Sequence, residues 1–246
     1  MENFDVIIGA ITLLGGYFGI PKLIEAGMRQ RQITRIRKKA DKLAAKIIID
    51  RDKKSLQGEP LLDEVKNLLL KAKDSTKNKL FLQRQLNKII RNLYDAGMDI
   101  DILELKEKFY SYFEFDAESW ANIAISNMNL YRTDGMNEFR KNSLDACKES
   151  LRRLPNYGTA KAVILIVNMI DYERQKTINK DDIKNMIVEI ISGDDDYVAY
   201  STYNYLQLTK VIKEWEKYIL RLDNLFPSEM AKMLQRYTDY KGKNNL

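Results

Sequence analysis

The chain has 246 residues, a mass of 28.8 kDa and a formal net charge of +6. It contains no histidine and a single cysteine, Cys147. This composition excludes Ser-His-Asp and Cys-His triads, histidine-ligated metal sites and cysteine clusters. We therefore expect a protein that is not an enzyme and that carries no metal and no cofactor.

The positive charge is concentrated in one segment of the chain. Residues 29 to 91 carry 19 Lys/Arg and seven Asp/Glu, a net charge of +12, whereas residues 92 to 246 carry a net charge of −4. A segment of this sign attracts phosphate, either on lipid head groups or on nucleic acid. The candidate nucleic-acid-binding residues are Arg29, Arg31, Arg35, Arg37, Lys38, Lys39, Lys42 and Lys46.

An apolar stretch precedes the basic segment. The fifteen residues from Val6 to Ile20 contain no charge, and apolar neighbours extend the stretch toward the roughly 20 residues that a membrane-spanning helix needs. Basic residues crowd its C-terminal side, which places the N-terminus outside and the rest of the chain in the cytoplasm. Residues 1–27 are therefore predicted to be a single-pass anchor in the cell membrane. A buried core helix and an interfacial helix are the alternatives.

Two glycines inside this stretch have the spacing of a helix-packing motif. Gly15 and Gly19 form a GxxxG pattern, which allows membrane helices to approach closely. The pattern predicts packing between anchors, and so a homo-oligomer. An oligomeric effector that disrupts the membrane is one function compatible with it.

Residues 28–57 are predicted to form a basic amphipathic helix beneath the membrane, ending near Asp52. Apolar residues recur at spacings of three and four, with Lys and Arg on the opposite face. These apolar residues are Ile33, Ile36, Ala40, Leu43, Ala44, Ile47 and Ile48. Three roles remain open for this helix: attraction to anionic lipid, binding to nucleic-acid phosphates, and a coiled-coil or stalk seam.

Residues 58–246 are predicted to form one all-helical cytosolic domain. Strand patterns are almost absent, and Pro60, Gly97, Gly135, Pro155 and Gly193 mark helix boundaries. Asp116 and Thr159 are predicted N-caps. The predicted helices cover residues 61–72, 82–93, 102–115, 117–132, 136–154, 160–175, 181–192, 195–222 and 229–240.

Part of this domain resembles degenerate tetratricopeptide (TPR) hairpins. The stretch from Phe139 to Asn156 has small residues and leucines at that family's packing positions, and it ends in Pro-Asn. Trp120, Ile123 and Ala124 resemble the start of the preceding helix. The resemblance covers residues 116–194, with intervals of about 40 residues in place of the family's 34. It implies a concave surface for a peptide or a helix, and so a possible protein partner.

Three further groups of residues are expected to be structural. Three consecutive carboxylates, Asp194 to Asp196, open a helix, where the helix dipole favours negative charge. Cys147 is expected to be an inert buried thiol. Stacking on nucleic-acid bases is the alternative to packing for the tyrosines of one helix, and packing is favoured. These tyrosines are Tyr197, Tyr200, Tyr203 and Tyr205.

The layout of the chain resembles the membrane-anchored abortive-infection (phage-resistance) proteins of bacteria. The resemblance is carried by the apolar stretch Val6–Ile20 and the basic residues 29–54. It implies that nucleic acid, single-stranded by analogy, is captured at the cytoplasmic membrane. The leading hypothesis is therefore a membrane-anchored nucleic-acid-binding protein in bacterial antiviral defence. A membrane-tethered TPR-like adaptor and a membrane-disrupting effector are the alternatives.

Overall fold

The fold is all-α, as predicted. The structure is a computed structural model that describes residues 19–73, 78–175, 178–210 and 212–245, and within these ranges it contains eleven helices and no strand. In chain order the helices are α1 (Gly19–Ile49), α2 (Pro60–Ala72), α3 (Lys79–Asp95), α4 (Asp99–Phe109), α5 (Ala117–Asp134), α6 (Asn137–Arg153), α7 (Gly158–Glu173), α8 (Lys180–Ser192), α9 (Asp196–Lys210), α10 (Lys213–Leu225) and α11 (Pro227–Asn244).

Most of the predicted anchor lies outside the described residues. This applies to residues 6–18, including Gly15, whereas Gly19 is the first residue of α1. In the part of the chain that the structure does describe, no helix combines the length and the apolar character needed to cross a bilayer.

Helix α1 is continuous through the predicted boundary between the anchor and the basic helix. Gly27 lies in its interior, and a Cβ added there would meet nothing within 4 Å. The helix buries one apolar stripe against α2 and α3, at the spacing i, i+4, i+7 and i+11. This stripe consists of Ile36, Ala40, Leu43 and Ile47, each at most 3% exposed. Ile48, predicted to belong to the apolar face, is 69% exposed.

Helix α1 packs against both α2 and α3. Pro60 is the first residue of α2, where its missing N–H costs nothing. The connection from α1 to α2 is tied to α4, because the buried Leu56 backbone N–H donates to Asp101 Oδ2 at 2.9 Å. The basic helix is therefore joined to the rest of the body by packing and by a buried hydrogen bond.

Small residues set the close pairing of α5 and α6. Ser143 Oγ donates to the Ala124 carbonyl at 2.8 Å, and Ser150 Oγ donates to the Ala117 carbonyl at 2.7 Å. Cys147 is fully buried on the same face of α6. The small residues of α6 that carry the TPR resemblance are thus packing residues. The buried hydroxyls of Ser143 and Ser150 each have a backbone carbonyl of α5 as partner.

Helix α7 crosses α9 at a glycine. A Cβ on Gly158 would lie 2.5 Å from the Thr202 backbone nitrogen and 2.7 Å from the Ser201 carbonyl carbon. No side chain fits between the two backbones at this point. Gly158 therefore sets how closely the two helices approach.

The predicted N-cap Asp116 and the predicted boundary at Gly135 are confirmed, whereas the predicted N-cap Thr159 is wrong. The Asp116 carboxylate accepts from the Ser119 backbone N–H at 2.7 Å, so it caps α5 as predicted. Gly135 ends α5 with a left-handed φ of 75°. Thr159 is not an N-cap, because α7 already begins at Gly158. Gly158 is also the residue at which α7 approaches α9 closely.

Two predicted helices are too long. The predicted helix 195–222 is two helices, α9 and α10, because the chain turns at Ile212, whose backbone is extended. Apolar residues continue through the turn, so periodicity alone does not reveal it. The predicted helix 102–115 ends at Phe109, and Phe113 and Phe115 are buried from the following turn rather than from a helix face.

Candidate nucleic-acid interface

Four of the eight predicted basic residues form an outward row on α1, which we call the α1 ridge. Arg31, Arg35, Lys38 and Lys42 are all exposed and lie on the side opposite the buried stripe. Their spacing of four, three and four residues places them along about 16 Å of helix. Helix α1 therefore presents cations on the face opposite its buried apolar residues.

The remaining four residues, Lys39, Lys46, Arg37 and Arg29, each interact with other groups of the protein. Lys39 Nζ lies 2.6 Å from Glu64 Oε2, and Lys46 Nζ lies 3.1 Å from Asp50 Oδ2. Hydrogen bonding to Lys39 lowers the pKa of Glu64, and hydrogen bonding to Asp50 raises the pKa of Lys46. The Arg37 guanidinium lies over the Phe81 ring on α3, at 5.6 Å from its centroid, and Arg29 is half-exposed.

The ridge cations have few fixed counterions. Among the described residues, no carboxylate lies within 4 Å of Arg31, Lys38 or Lys42, while Arg35 contacts Glu64 at 3.3 Å and keeps 64% of its side chain exposed. An exposed single ion pair of this kind contributes about 0–1 kcal/mol and exchanges readily with another anion. The ridge can therefore neutralise phosphates without first breaking a buried contact.

The depression beside the ridge has mixed charge. It has a volume of about 780 Å³ and lies between α1 and α2, where Arg31, Arg35 and Lys71 share its walls with Asp63 and Glu64. Carboxylates in the wall repel a phosphate drawn into the depression. The exposed crest of α1 is the cationic surface that remains.

Several basic residues after α1 are engaged within the protein, whereas Arg51, Lys54, Lys71, Lys79 and Arg84 are exposed. Lys66 is 2% exposed and lies 2.6 Å from Glu104 Oε1. Lys88 Nζ lies 3.1 Å from Asp41 Oδ1, and Arg91 pairs with Glu118. The high net charge of residues 29–91 thus overstates the cationic surface. Only the tertiary structure separates the available cations from the paired ones.

The four tyrosines of α9 pack within the protein, as favoured from the sequence. Tyr200 stacks on Tyr237 and Tyr240 of α11, with centroids 5.2 and 4.6 Å apart, and Tyr203 contacts Tyr237 at 5.2 Å. Tyr197 contacts Tyr240 at 5.7 Å. Tyr205 is buried, which raises the pKa of its phenol. The rings of Tyr197, Tyr200 and Tyr203 therefore contribute to the contact between α9 and α11.

Two other sequence candidates are structural. Asp196 is paired with Arg236 and Lys243 of α11, and hydrogen bonding to Arg236 lowers its pKa. Cys147 has no exposed surface, and burial raises the pKa of its thiol. A thiol held in its neutral form is a poor nucleophile.

A second concave surface lies across α4, α5 and α6. This groove has a volume of about 600 Å³, and it was predicted from the sequence only as an unspecified concave face. Its apolar lining includes Tyr110, Trp120, Ile123 and Phe139, and Glu138 stands among its polar wall residues. Trp120 is 4% exposed, and its indole N–H has no hydrogen-bond partner.

Comparison with known proteins finds no relative for this chain. No protein-family model, no curated protein and no solved structure matches it.

Proposed function

We propose that the protein is a membrane-anchored, non-enzymatic nucleic-acid-binding protein that acts in bacterial abortive infection against phage. The apolar stretch Val6–Ile20 anchors it, and the body lies in the cytoplasm. The α1 ridge binds nucleic-acid phosphates. The observation that carries this proposal is the row of exposed cations with few fixed counterions on a helix whose other face is buried.

The continuity of α1 favours nucleic acid over lipid as the source of phosphate. A helix that leaves the bilayer at Ile20 along the membrane normal carries Arg31 about 17 Å and Lys42 about 33 Å beyond that point. Electrostatic attraction to lipid head groups is screened over about 8 Å at physiological salt. In this arrangement the ridge stands too far from the membrane surface to be held by it.

The test removes the ridge charges in the full-length, detergent-solubilised chain. The variant Arg31→Gln, Arg35→Gln, Lys38→Gln and Lys42→Gln is expected to lower nucleic-acid affinity at least 100-fold at 0.1 M salt. A matched control, Lys141→Gln, Lys148→Gln, Lys217→Gln and Lys232→Gln, removes the same charge from exposed positions of other helices. It is expected to bind within threefold of the parent chain.

Equal losses in both variants contradict the proposal, because the effect then reflects net charge rather than the ridge. A second measurement uses vesicles that contain anionic or only zwitterionic lipid. Ridge-dependent binding to anionic vesicles, with no binding to nucleic acid, assigns the ridge to lipid instead.

The membrane location has its own test. The full-length chain is expected to stay with the membrane fraction after alkaline extraction, and deletion of residues 2–20 is expected to release it. A parent chain that is released by alkali contradicts the anchor. The ridge substitutions are expected to leave the fractionation unchanged.

The groove across α4, α5 and α6 favours a second candidate function, a membrane-tethered adaptor for a protein partner. An apolar floor of this size accepts a helix or a peptide. In that function, Phe139→Glu abolishes partner binding, while Arg35→Glu and Lys38→Glu leave it unchanged. The reverse pattern supports the nucleic-acid function.

A further inference from the structure

The basic part of the protein is almost free of aromatic side chains. Across the described residues of α1, α2 and α3, the aromatic residues are Phe81 and Tyr94. Phe81 is half-buried and covered by the Arg37 guanidinium, and Tyr94 is half-buried and hydrogen-bonded to Tyr205. Neither ring presents an open face beside the ridge.

This absence matters because single strands depend on aromatic stacking. A protein that prefers single-stranded nucleic acid stacks the bases on aromatic rings, each contributing about 1–3 kcal/mol. The described part of the α1 ridge offers only guanidinium and ammonium groups. The tyrosines of α9 do not replace it, since Tyr197, Tyr200 and Tyr203 contact rings of α11 and Tyr205 is buried.

The charge of the ridge points the same way. The four cations line an open depression of about 600 Å³ along α1, and its described lining residues include no aromatic side chain. A duplex presents one phosphate charge per about 1.7 Å of its axis, twice the density of one strand. Neutralising a phosphate also releases more counterion from a duplex than from a single strand.

Resting on the proposed function, we infer that the ligand of the α1 ridge is duplex nucleic acid, bound through its phosphates without regard to base sequence. Single strands bind the same four cations more weakly. This differs from the single-stranded ligand that the resemblance to abortive-infection proteins implies. The difference arises because the described ridge residues can neutralise a phosphate backbone but provide no aromatic ring on which a base could stack.

The experiment compares a 20-base-pair DNA duplex with a 20-nucleotide single strand of the same mixed sequence, using the full-length chain in detergent. With four phosphates neutralised, log K is expected to fall with log salt at a slope of about −3.6 for the duplex and about −2.8 for the single strand. If the two affinities converge near 1 M salt, the duplex binds about sixfold more tightly at 0.1 M. Duplexes of only A·T or only G·C pairs are expected to bind within twofold of one another.

The four-residue ridge variant and its matched lysine control are measured beside the parent chain. Loss of duplex binding in the ridge variant alone supports the inference. Tighter binding of the single strand overturns the inference and leaves the proposed function standing. Binding of neither ligand overturns both.

Discussion

The outer face of α1 and the contact between α7 and α9 represent two kinds of structure in one chain. At the α7–α9 crossing, Gly158 lies against the backbone of Thr202, and no side chain fits between the two helices. On the α1 ridge, the side chains of Lys38 and Lys42 are exposed and have no carboxylate partner among the described residues. The first region specifies the fold. The second contributes little to stability.

The largest effect is expected at the α7–α9 crossing. Gly158→Ala places a methyl group 2.5 Å from a backbone nitrogen that no rotamer change can move. We expect the free energy of unfolding to fall by about 4 kcal/mol or more. Urea denaturation followed by circular dichroism measures it. A loss below 1 kcal/mol means that the two helices do not approach this closely.

The two faces of α1 provide the next test, with adjacent residues as a matched pair. Leu43 is fully buried, so Leu43→Ala is expected to cost about 3 kcal/mol through the cavity that it leaves. Lys42→Ala, on the ridge, is expected to change stability by less than about 0.5 kcal/mol. Equal costs show that α1 is not packed on the body through this stripe.

The buried carboxyl that holds the connection from α1 to α2 gives a smaller, pH-dependent effect. Asp101→Ala leaves the buried Leu56 N–H without an acceptor and is expected to cost about 1–3 kcal/mol. Asp101→Asn keeps an acceptor and removes the charge.

Burial raises the pKa of Asp101, so the folded protein holds this proton to higher pH than the unfolded chain does. The contribution of Asp101 to stability therefore falls as pH rises from 3.8, its ordinary value, through the raised pKa. Across this window Asp101→Asn is expected to gain stability relative to the parent chain. A relative stability that falls with pH contradicts the assignment. Urea titrations at several pH values measure it.

The smallest expected effect is a gain in stability within α1. Gly27 is inside the helix, with open space around the position of a Cβ. Gly27→Ala is expected to stabilise the protein by about 0.5–1 kcal/mol, because alanine loses less backbone entropy in a helix. Destabilisation here means that α1 is interrupted at this glycine in solution. The same substitution at Gly158 is expected to lower the free energy of unfolding, so the two glycine variants differ in the sign of their effect.

Local patterns in the chain were sufficient for the helical class and for several helix ends. Asp116, Pro60 and Gly135 act at helix boundaries through their own side chain or backbone, so their effects are visible in a short stretch of sequence. The end of α4 at Phe109 and the turn at Ile212 were not predictable in this way. In both places apolar residues continue past the end of the helix. After α4, Phe113 and Phe115 are buried from the turn, whereas Ile212 is 45% exposed.

The candidate site was predictable only as a group of eight basic residues. The pattern of the sequence assigned the same role to Lys39 and Lys42, which are three residues apart. In the structure, Lys39 pairs with Glu64 of α2 and Lys42 is exposed. The partner is distant in the sequence, so no local pattern distinguishes the two lysines.

The amino-acid sequence by itself determined that the chain is helical, that its positive charge is concentrated near one end and that α1 has an apolar and a basic face. These properties depend on residues three or four positions apart, which a helix brings together without help from the rest of the chain. Tertiary structure decided which cations remain exposed, where helices turn and which glycine permits a close crossing. Each of these depends on contacts between elements far apart in the sequence, which form only when the whole core is packed.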